Sequence, residues 1–279
     1  MKIPMLYEQG DAKIIEDKII CNLPFVGVAD GVSGLYHPDD GPRLFHGLSG
    51  GQMATQALYY VAQSCYASMT LQEVVLWAND TIMRKHQNED IPLDRSDLLA
   101  GATFSLAKIG EKDVEVIQAG DSFALWQMTT GEYGITRNQV FAHDMECRNA
   151  FGALLKKHGG DKVKTWKEFT PFISQLRLER VNKNIEKGYG LLNGQPALKD
   201  CWTLRSFSLK DLARLILFTD GFIHYPESEG NCLGLAYKIT TLYKEGGLER
   251  ILFETRMQED FAEEGHIRHA EATAIAIEF

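Results

Sequence analysis

Apolar positions along the chain follow two periods. Short continuous runs, about four to eight residues long, mark buried strands at the start, middle and end, and helical spacing fills the gaps. From Ser49 to Ser68, Met53, Ala57, Leu58, Val61 and Cys65 recur at helical spacing, and Leu71 to His86 repeats the pattern with Val74, Val75, Ala78 and Ile82. Two packed helices are expected there. The runs GATFSLAKIG, VEVIQAGD, SFALWQM and EYGITR follow between Gly101 and Arg137, with turns at Glu111-Lys112 and Thr130-Gly131. Connections this short predict an antiparallel meander.

Residues 144–188 are more charged and helical in character, with a break expected at Phe169-Thr170-Pro171, and form a candidate flap or helical subdomain. After Gly188-Tyr189-Gly190 the strands TLRSFSLK and ARLILFTD resume. Helices are expected at about Gly234–Lys244 and Leu248–Asp260, and ATAIAIEF closes the chain. Strands early, middle and late with paired helices between them predict antiparallel sheets layered with helices, an α+β design. No repeat or low-complexity linker divides it, so residues 1–279 are expected to be a single domain.

Composition narrows the partners. With 279 residues, 44% of them hydrophobic, the chain can bury a sizeable core. A net charge of -9 argues against a nucleic-acid partner, which needs clustered Lys and Arg. The apolar runs are strand-sized, and MKIPMLYEQGDAK lacks a basic region followed by an apolar segment, so no membrane insertion or secretion is expected and a cytoplasmic address is the default. Cys21, Cys65, Cys147, Cys201 and Cys232 are odd in number and far apart, a pattern of reduced, buried structural thiols.

Two apolar runs, FVGVADGVSG and LILFTDGF, end in Asp-Gly: Asp30-Gly31 and Asp220-Gly221. A lone Asp-Gly is ordinarily a turn, yet neither VSGLYHP nor FIHYPES continues as the second strand of a hairpin. Glu16-Asp17 in IIEDKII, Asp121 in QAGDSFAL and the segment HAEATAIAIEF share the acidic, strand-end character, although a solvated strand edge is the plainer account of Glu16-Asp17 alone. Carboxylates gathered without Cys or His suit hard cations such as magnesium or manganese. Glycine after the aspartate would let a backbone carbonyl approach an ion.

Taken in order, EDKI, FVGVADGVSG, GATFSLAKI, VEVIQAGDSFAL, GYGLLNG, LILFTDGF and TAIAIEF resemble the metal-dependent protein phosphatase family, the type 2C serine/threonine phosphatases, in its bacterial form. The resemblance covers nearly the whole chain. It implies a four-layer αββα sandwich with a binuclear manganese or magnesium centre between the strand termini. By resemblance, Asp30 bridges the two ions, the Gly31 carbonyl ligates one and Asp220 the other, while Glu16 and Asp17 hold metal-bound waters. Asp121 resembles the ligand of a third, weaker ion, and Gly101-Ala102-Thr103 lines the same end. Asp30, Asp220 and Asp17 are thus the implied catalytic set. The implied reaction is hydrolysis of phosphoserine or phosphothreonine in a phosphorylated protein by a metal-bridging hydroxide attacking phosphorus in line, without a covalent intermediate.

Three departures qualify it. The family's final metal-ligating aspartate, three residues before the Thr of the closing strand, is Ala270 here, and the adjacent Glu271 would face the opposite way on a regular strand. The phosphate-contacting arginine upstream of the Glu-Asp pair is Ala12, with Lys13 beside it as a substitute. The histidine that some members place after Asp-Gly is Val32; His37 and His46 follow in the loop and are read mainly as bystanders. Ser49-Gly50-Gly51 reads as a helix cap and close-packing site, and Trp126, Trp166 and Tyr59-Tyr60 as core or surface-anchoring aromatics. Ala270 leaves a second reading open, a catalytically impaired pseudo-phosphatase acting as a binding or regulatory module, and a third, an esterase for small phosphorylated metabolites. Phosphoprotein choice is expected to reside in 144–188 and the surface loops.

Overall fold

The computed structural model describes residues 1–35, 43–224, 232–260 and 269–279. Its strands are β1 (Met5–Glu8), β2 (Lys18–Asn22), β3 (Phe25–Val32), β4 (Gly101–Ile109), β5 (Asp113–Ala119), β6 (Phe123–Met128), β7 (Tyr133–Ile135), β8 (Thr203–Ser208), β9 (Leu212–Phe218) and β10 (Ala272–Glu278). The helices are α1 (Gly50–Ser64), α2 (Leu71–Asn88), α3 (Phe141–Lys157), α4 (Lys162–Arg180) and α5 (Cys232–Asp260). Helix α5 is broken at Gly246 and Gly247, where the backbone leaves the helical region, so the two helices read from the sequence are its halves. No helix among the described residues is long and apolar enough to cross a membrane.

Two five-stranded antiparallel sheets, ordered β2-β3-β4-β5-β8 and β1-β10-β9-β6-β7, form the middle layers. Side chains alternate across each strand, so one sequence supplies two interfaces. Along β3, Val26 and Val28 face the opposing sheet, meeting Leu215, Leu217, Ile275 and Ile277, whereas Phe25 and Ala29 pack beneath α1 and α2. Along β10, Ile275 and Ile277 fill the gap between sheets, while Ala272, Ala274 and Ala276 turn toward α5. Small residues on that face let the helix approach closely. The result is the expected αββα sandwich.

The register explains why distant acidic residues meet. Strands β3, β5 and β9 end at the same edge of the sandwich at which β2, β4, β6 and β10 begin: Lys18 pairs with Ala29, Thr103 with Asp30, Phe123 with Phe218, and Ala274 with Phe218. Glu16-Asp17, Asp30-Gly31, Asp121, Asp220 and Ala270-Glu271 all occupy those termini.

Three expectations need correction. The meander is two hairpins in different sheets, because the chain crosses from β5 to β6 through Gly120-Asp121-Ser122, with Gly120 at φ +80°. A three-residue link reads identically in sequence whether it stays in a sheet or leaves it. Helix α4 runs unbroken through Pro171. Pro171 and Lys167, whose carbonyl loses its partner to the ring, are exposed to water, and buried Thr165, Phe169 and Leu176 hold the helix on its other face. The cysteines are less buried than expected: Cys21 is exposed and the other four are partly buried, all free thiols.

Candidate active site at the strand termini

Asp17 immediately precedes β2 and is almost fully buried. A short relay fixes it: the Thr273 backbone N–H donates to the Thr219 hydroxyl at 3.0 Å, which donates to Asp17 Oδ2 at 2.9 Å. The two threonines come from β10 and the end of β9, so Asp17 is tied to the sheet it does not belong to. Asp30 lies within hydrogen-bonding reach of both the Asp17 and Asp220 carboxyls. Crowding has the expected electrostatic effect. Burial, then repulsion from Asp17, Asp220 and Asp121, holds the Asp30 carboxyl well above the usual range. Burial and, more weakly, Glu271 raise Asp17 to about 7, and burial with the Asp220 charge raises Asp121 to about 7. Asp220 rises to about 6; its carboxyl reaches solvent through a cleft but is hemmed by protein and by the charges of Asp17 and Asp144.

Gly31 is required for a packing reason the sequence did not show. A Cβ there would lie 2.8 Å from the Glu16 Cβ and 2.8 Å from the Gly51 backbone, so the first turn of α1 rests directly on the strand end. Ser49 caps that helix, accepting from the Gln52 backbone N–H while its hydroxyl donates to Glu16, in keeping with the cap and close-packing reading of Ser49-Gly50-Gly51. The Gly31 carbonyl has a distinctive setting too. Ala102, opposite Gly31, bonds through both backbone groups to Leu192 rather than to β3. Gly31 therefore sits in a non-hydrogen-bonded pair and its carbonyl is turned toward the β2 side, before β2 has begun.

The second Asp-Gly forms a single turn of 3₁₀ helix, Asp220–Phe222. A Cβ on Gly221 would fall 2.0 Å from the Glu271 carbonyl oxygen and 3.0 Å from the Ala270 Cβ, so position 270 abuts the residue after Asp220. Glu271 is engaged elsewhere: it accepts from the Tyr7 hydroxyl and from the Glu16 backbone N–H, both at 2.9 Å. Its charge bears on Asp17 and not on the place beside Asp220 that Ala270 leaves empty of a carboxylate.

A cleft of about 240 Å³ opens next to these groups, lined by Asp121, Asn138, Asp144, Arg148, Asp220 and His224 among others. Asp144, in the first turn of α3, was missed by the sequence reading. Burial and the Asp121 charge raise it to about 7, against the opposing pull of Arg148. Arg148 and His224 were missed as well; they are the cleft's basic side chains, whereas Lys13 is exposed in the loop ahead of Glu16. The cleft depends on how α3 and α4 dock. Ser174 Oγ donates to Asp97 at 2.6 Å, Ser96 Oγ to the Arg177 carbonyl at 3.0 Å, and Arg177 to the Ser33 carbonyl at 3.1 Å. Thr103 and Ser122 join hydroxyls at 2.9 Å beside Asp121, placing Gly101-Ala102-Thr103 along the same edge. His46 is exposed at the tip of the Phe45–Leu48 turn, and His37 lies outside the described residues.

No protein-family model and no curated protein matches the sequence. Solved structures do. The serine/threonine phosphatase PstP/Ppp of Mycobacterium tuberculosis superposes with a TM-score of 0.55 at 16% identity, covering 100% of this chain and 98% of its own. The catalytic domain of PstP in complex with two manganese ions gives 0.54 at 16% identity over 99% and 96% of the two chains. Stp1 from Staphylococcus aureus gives 0.50 at 15% identity over 100% and 94%. The fold is that of the type 2C serine/threonine phosphatases.

Proposed function

We propose that the protein is a metal-dependent serine/threonine protein phosphatase that hydrolyses phosphomonoesters on phosphorylated proteins. The observation that carries this reading is the convergence of Asp17, Asp30 and Asp220, from three strand ends, near enough for the Asp17 charge to raise both Asp30 and Asp220, beside the out-turned Gly31 carbonyl. The donor set fits a hard cation, being all oxygen, anionic and without Cys or His. No three His, Cys, Asp or Glu side chains among the described residues close on one point as a ready-made metal shell. In the proposed reading, one manganese or magnesium ion would be held by Asp30 with the Gly31 carbonyl and the other by Asp30 with Asp220.

When bound, such a pair of ions lowers the pKa of a shared water and neutralises phosphoryl oxygens. The chain's own groups do the rest. Glu16 and Asp17 orient water by accepting its hydrogens, and the relay through Thr219 keeps Asp17 from turning away. Asp121, with Asp144 and Asp220 around the cleft, is the proposed place of a third, weaker ion. Arg148 is better placed than Lys13 to meet a phosphate at the cleft, and His224 can protonate a leaving alkoxide there. The α3–α4 hairpin serves as the flap of a single domain and contributes to phosphoprotein choice. The net charge of -9 supports a protein partner over a nucleic acid, and a cytoplasmic site of action is retained as part of the proposal.

Ala270 favours a second reading, a pseudo-phosphatase that binds phosphoproteins without turnover. Hydrolysis of p-nitrophenyl phosphate with added manganese, comparing the chain with Ala270→Asp, separates the two. Turnover by the unaltered chain supports the phosphatase; turnover only in A270D supports the impaired form; background rates in both overturn the proposed mechanism.

A further inference from the structure

Arg256, in the second half of α5, is the most thoroughly engaged charged group near the second Asp-Gly. Its side chain is 11% exposed. The Nε donates to Glu8 at the end of β1 at 2.8 Å, and Nη1 donates to Glu259 at 2.8 Å. Two further N–H groups go to backbone carbonyls from different parts of the chain. Nη1 reaches the Gly221 carbonyl at 3.3 Å and Nη2 the Ala270 carbonyl at 2.7 Å. Gly221 follows Asp220, and Ala270 stands where the resemblance expects a carboxylate.

The backbone at 270 is pinned from other sides as well. Asp11 exchanges hydrogen bonds with His269, its N–H donating at 2.9 Å and its carboxylate accepting at 3.1 Å. Gly10, at φ +56°, passes so close that a Cβ would lie 2.7 Å from the Ala270 carbonyl oxygen. The next residue, Glu271, is tied to Tyr7 and to the Glu16 backbone. Such fixing is unexpected around an exposed alanine whose methyl does little packing. It is understandable if what is held is the position of the backbone relative to Asp220.

We propose that Arg256 is a positioning residue for the second metal subsite: by gripping the Gly221 and Ala270 carbonyls together, its guanidinium sets the spacing between Asp220 and position 270. This rests on the metal-dependent reading above. Glu8 and Glu259 neutralise the guanidinium, so it acts by geometry and does not compete with an ion for the carboxylates. Lysine cannot replace it, since a single ammonium cannot span two carbonyls while keeping the Glu8 contact. The loss of a carboxylate at 270 has thus left the backbone frame for one in place.

Manganese titration by calorimetry, in a double-mutant cycle of A270D with Arg256→Lys, tests this without relying on turnover. With Arg256 present, A270D should tighten the weaker manganese site by at least about 10-fold, the lower end of what even a supporting group contributes to metal affinity. In R256K the same substitution should gain less than about threefold, while the tighter site, built on Asp30 and Gly31, keeps its affinity in every variant. Arg250→Lys, on the same helix and paired with Glu254, is the control and should leave the full gain. If A270D gains equally in R256K and in the unaltered chain, Arg256 only stabilises the fold and the proposal fails, whatever the change in melting temperature. Absence of manganese binding in all variants, A270D included, would instead overturn the metal-dependent reading itself. Arg256→Gln is a second disruption; should it fail to fold, R256K decides.

Discussion

The two Asp-Gly strand ends solve different problems with the same dipeptide. Asp30-Gly31 lies inside β3, in register with Thr103 and Ala102, and is backed by the first turn of α1. Asp220-Gly221 lies just beyond β9 in a single helical turn, borders an open cleft, and is held by Arg256 and by contact with residues 270–271. The first is rigid because a ladder and a helix meet on it. The second is rigid only as far as the segment leading into β10 keeps its place. An anchored end tolerates little change, whereas a bordered end depends on the residues it touches, Ala270 and Glu271.

The largest effect is expected at Asp30, which lies between Asp17 and Asp220. Asp30→Asn should cost more than about 100-fold in manganese affinity, beyond what supporting residues cost, and reduce phosphatase turnover to background. Asp220→Asn should weaken only one class of site. Equal losses in the two variants, read by titration, would remove the asymmetry. Next in size, Gly31→Ala should destabilise the fold by about 1–3 kcal/mol in a urea titration, because the added methyl meets Glu16 and the Gly51 backbone. A neutral result would show that α1 can shift, and that the first end is not anchored as described.

The strand ends were legible in the sequence because a continuous apolar run that stops at Asp-Gly records both the burial of the strand and its termination. The layering of antiparallel sheets with helices was legible from the order of strand and helix patterns, whereas the four-layer αββα arrangement was implied only by the family resemblance. Asp144 and Arg148 were not legible, since they sit on a helix that buries little of its surface, and their position depends on Ser96, Asp97, Ser174 and Arg177 docking α4, against which α3 packs. Arg256 was hidden because its partners are backbone carbonyls, which carry no sequence signal. The change of sheet at Gly120-Asp121-Ser122 was hidden by the brevity of the link.

A smaller effect concerns pH. With divalent ions chelated, the folded-state pKa values of Asp17, Asp121 and Asp144, about 7, and Asp220, about 6, lie above the ordinary aspartate value of 3.8. The folded chain then binds more protons than the unfolded chain between about pH 4 and 7. Stability contributed by these groups is full below about pH 4 and is lost as pH rises through 6 to 7. Asp97, lowered by its Arg95 and Ser174 partners, acts in the opposite sense but below that window. Thermal melts of the chelated protein should therefore fall from pH 5 to pH 8, and manganese at pH 8 should restore them. A flat profile would show that the carboxylates do not repel as their proximity implies. Smallest of all, Asp144→Asn should lower kcat/KM by a few-fold at limiting manganese and leave it unchanged at saturation; a loss that persists at saturation would move Asp144 out of a third-ion role.

The proposed function requires strand ends from both sheets to deliver one shared and one open cation position. Anomalous diffraction from crystals grown with manganese tests it most directly. A strong peak is expected beside Asp30 and the Gly31 carbonyl and a weaker one between Asp30 and Asp220, with none beside Glu271. A well-ordered crystal with no manganese at Asp30, or with its only ion at Glu271, would contradict it.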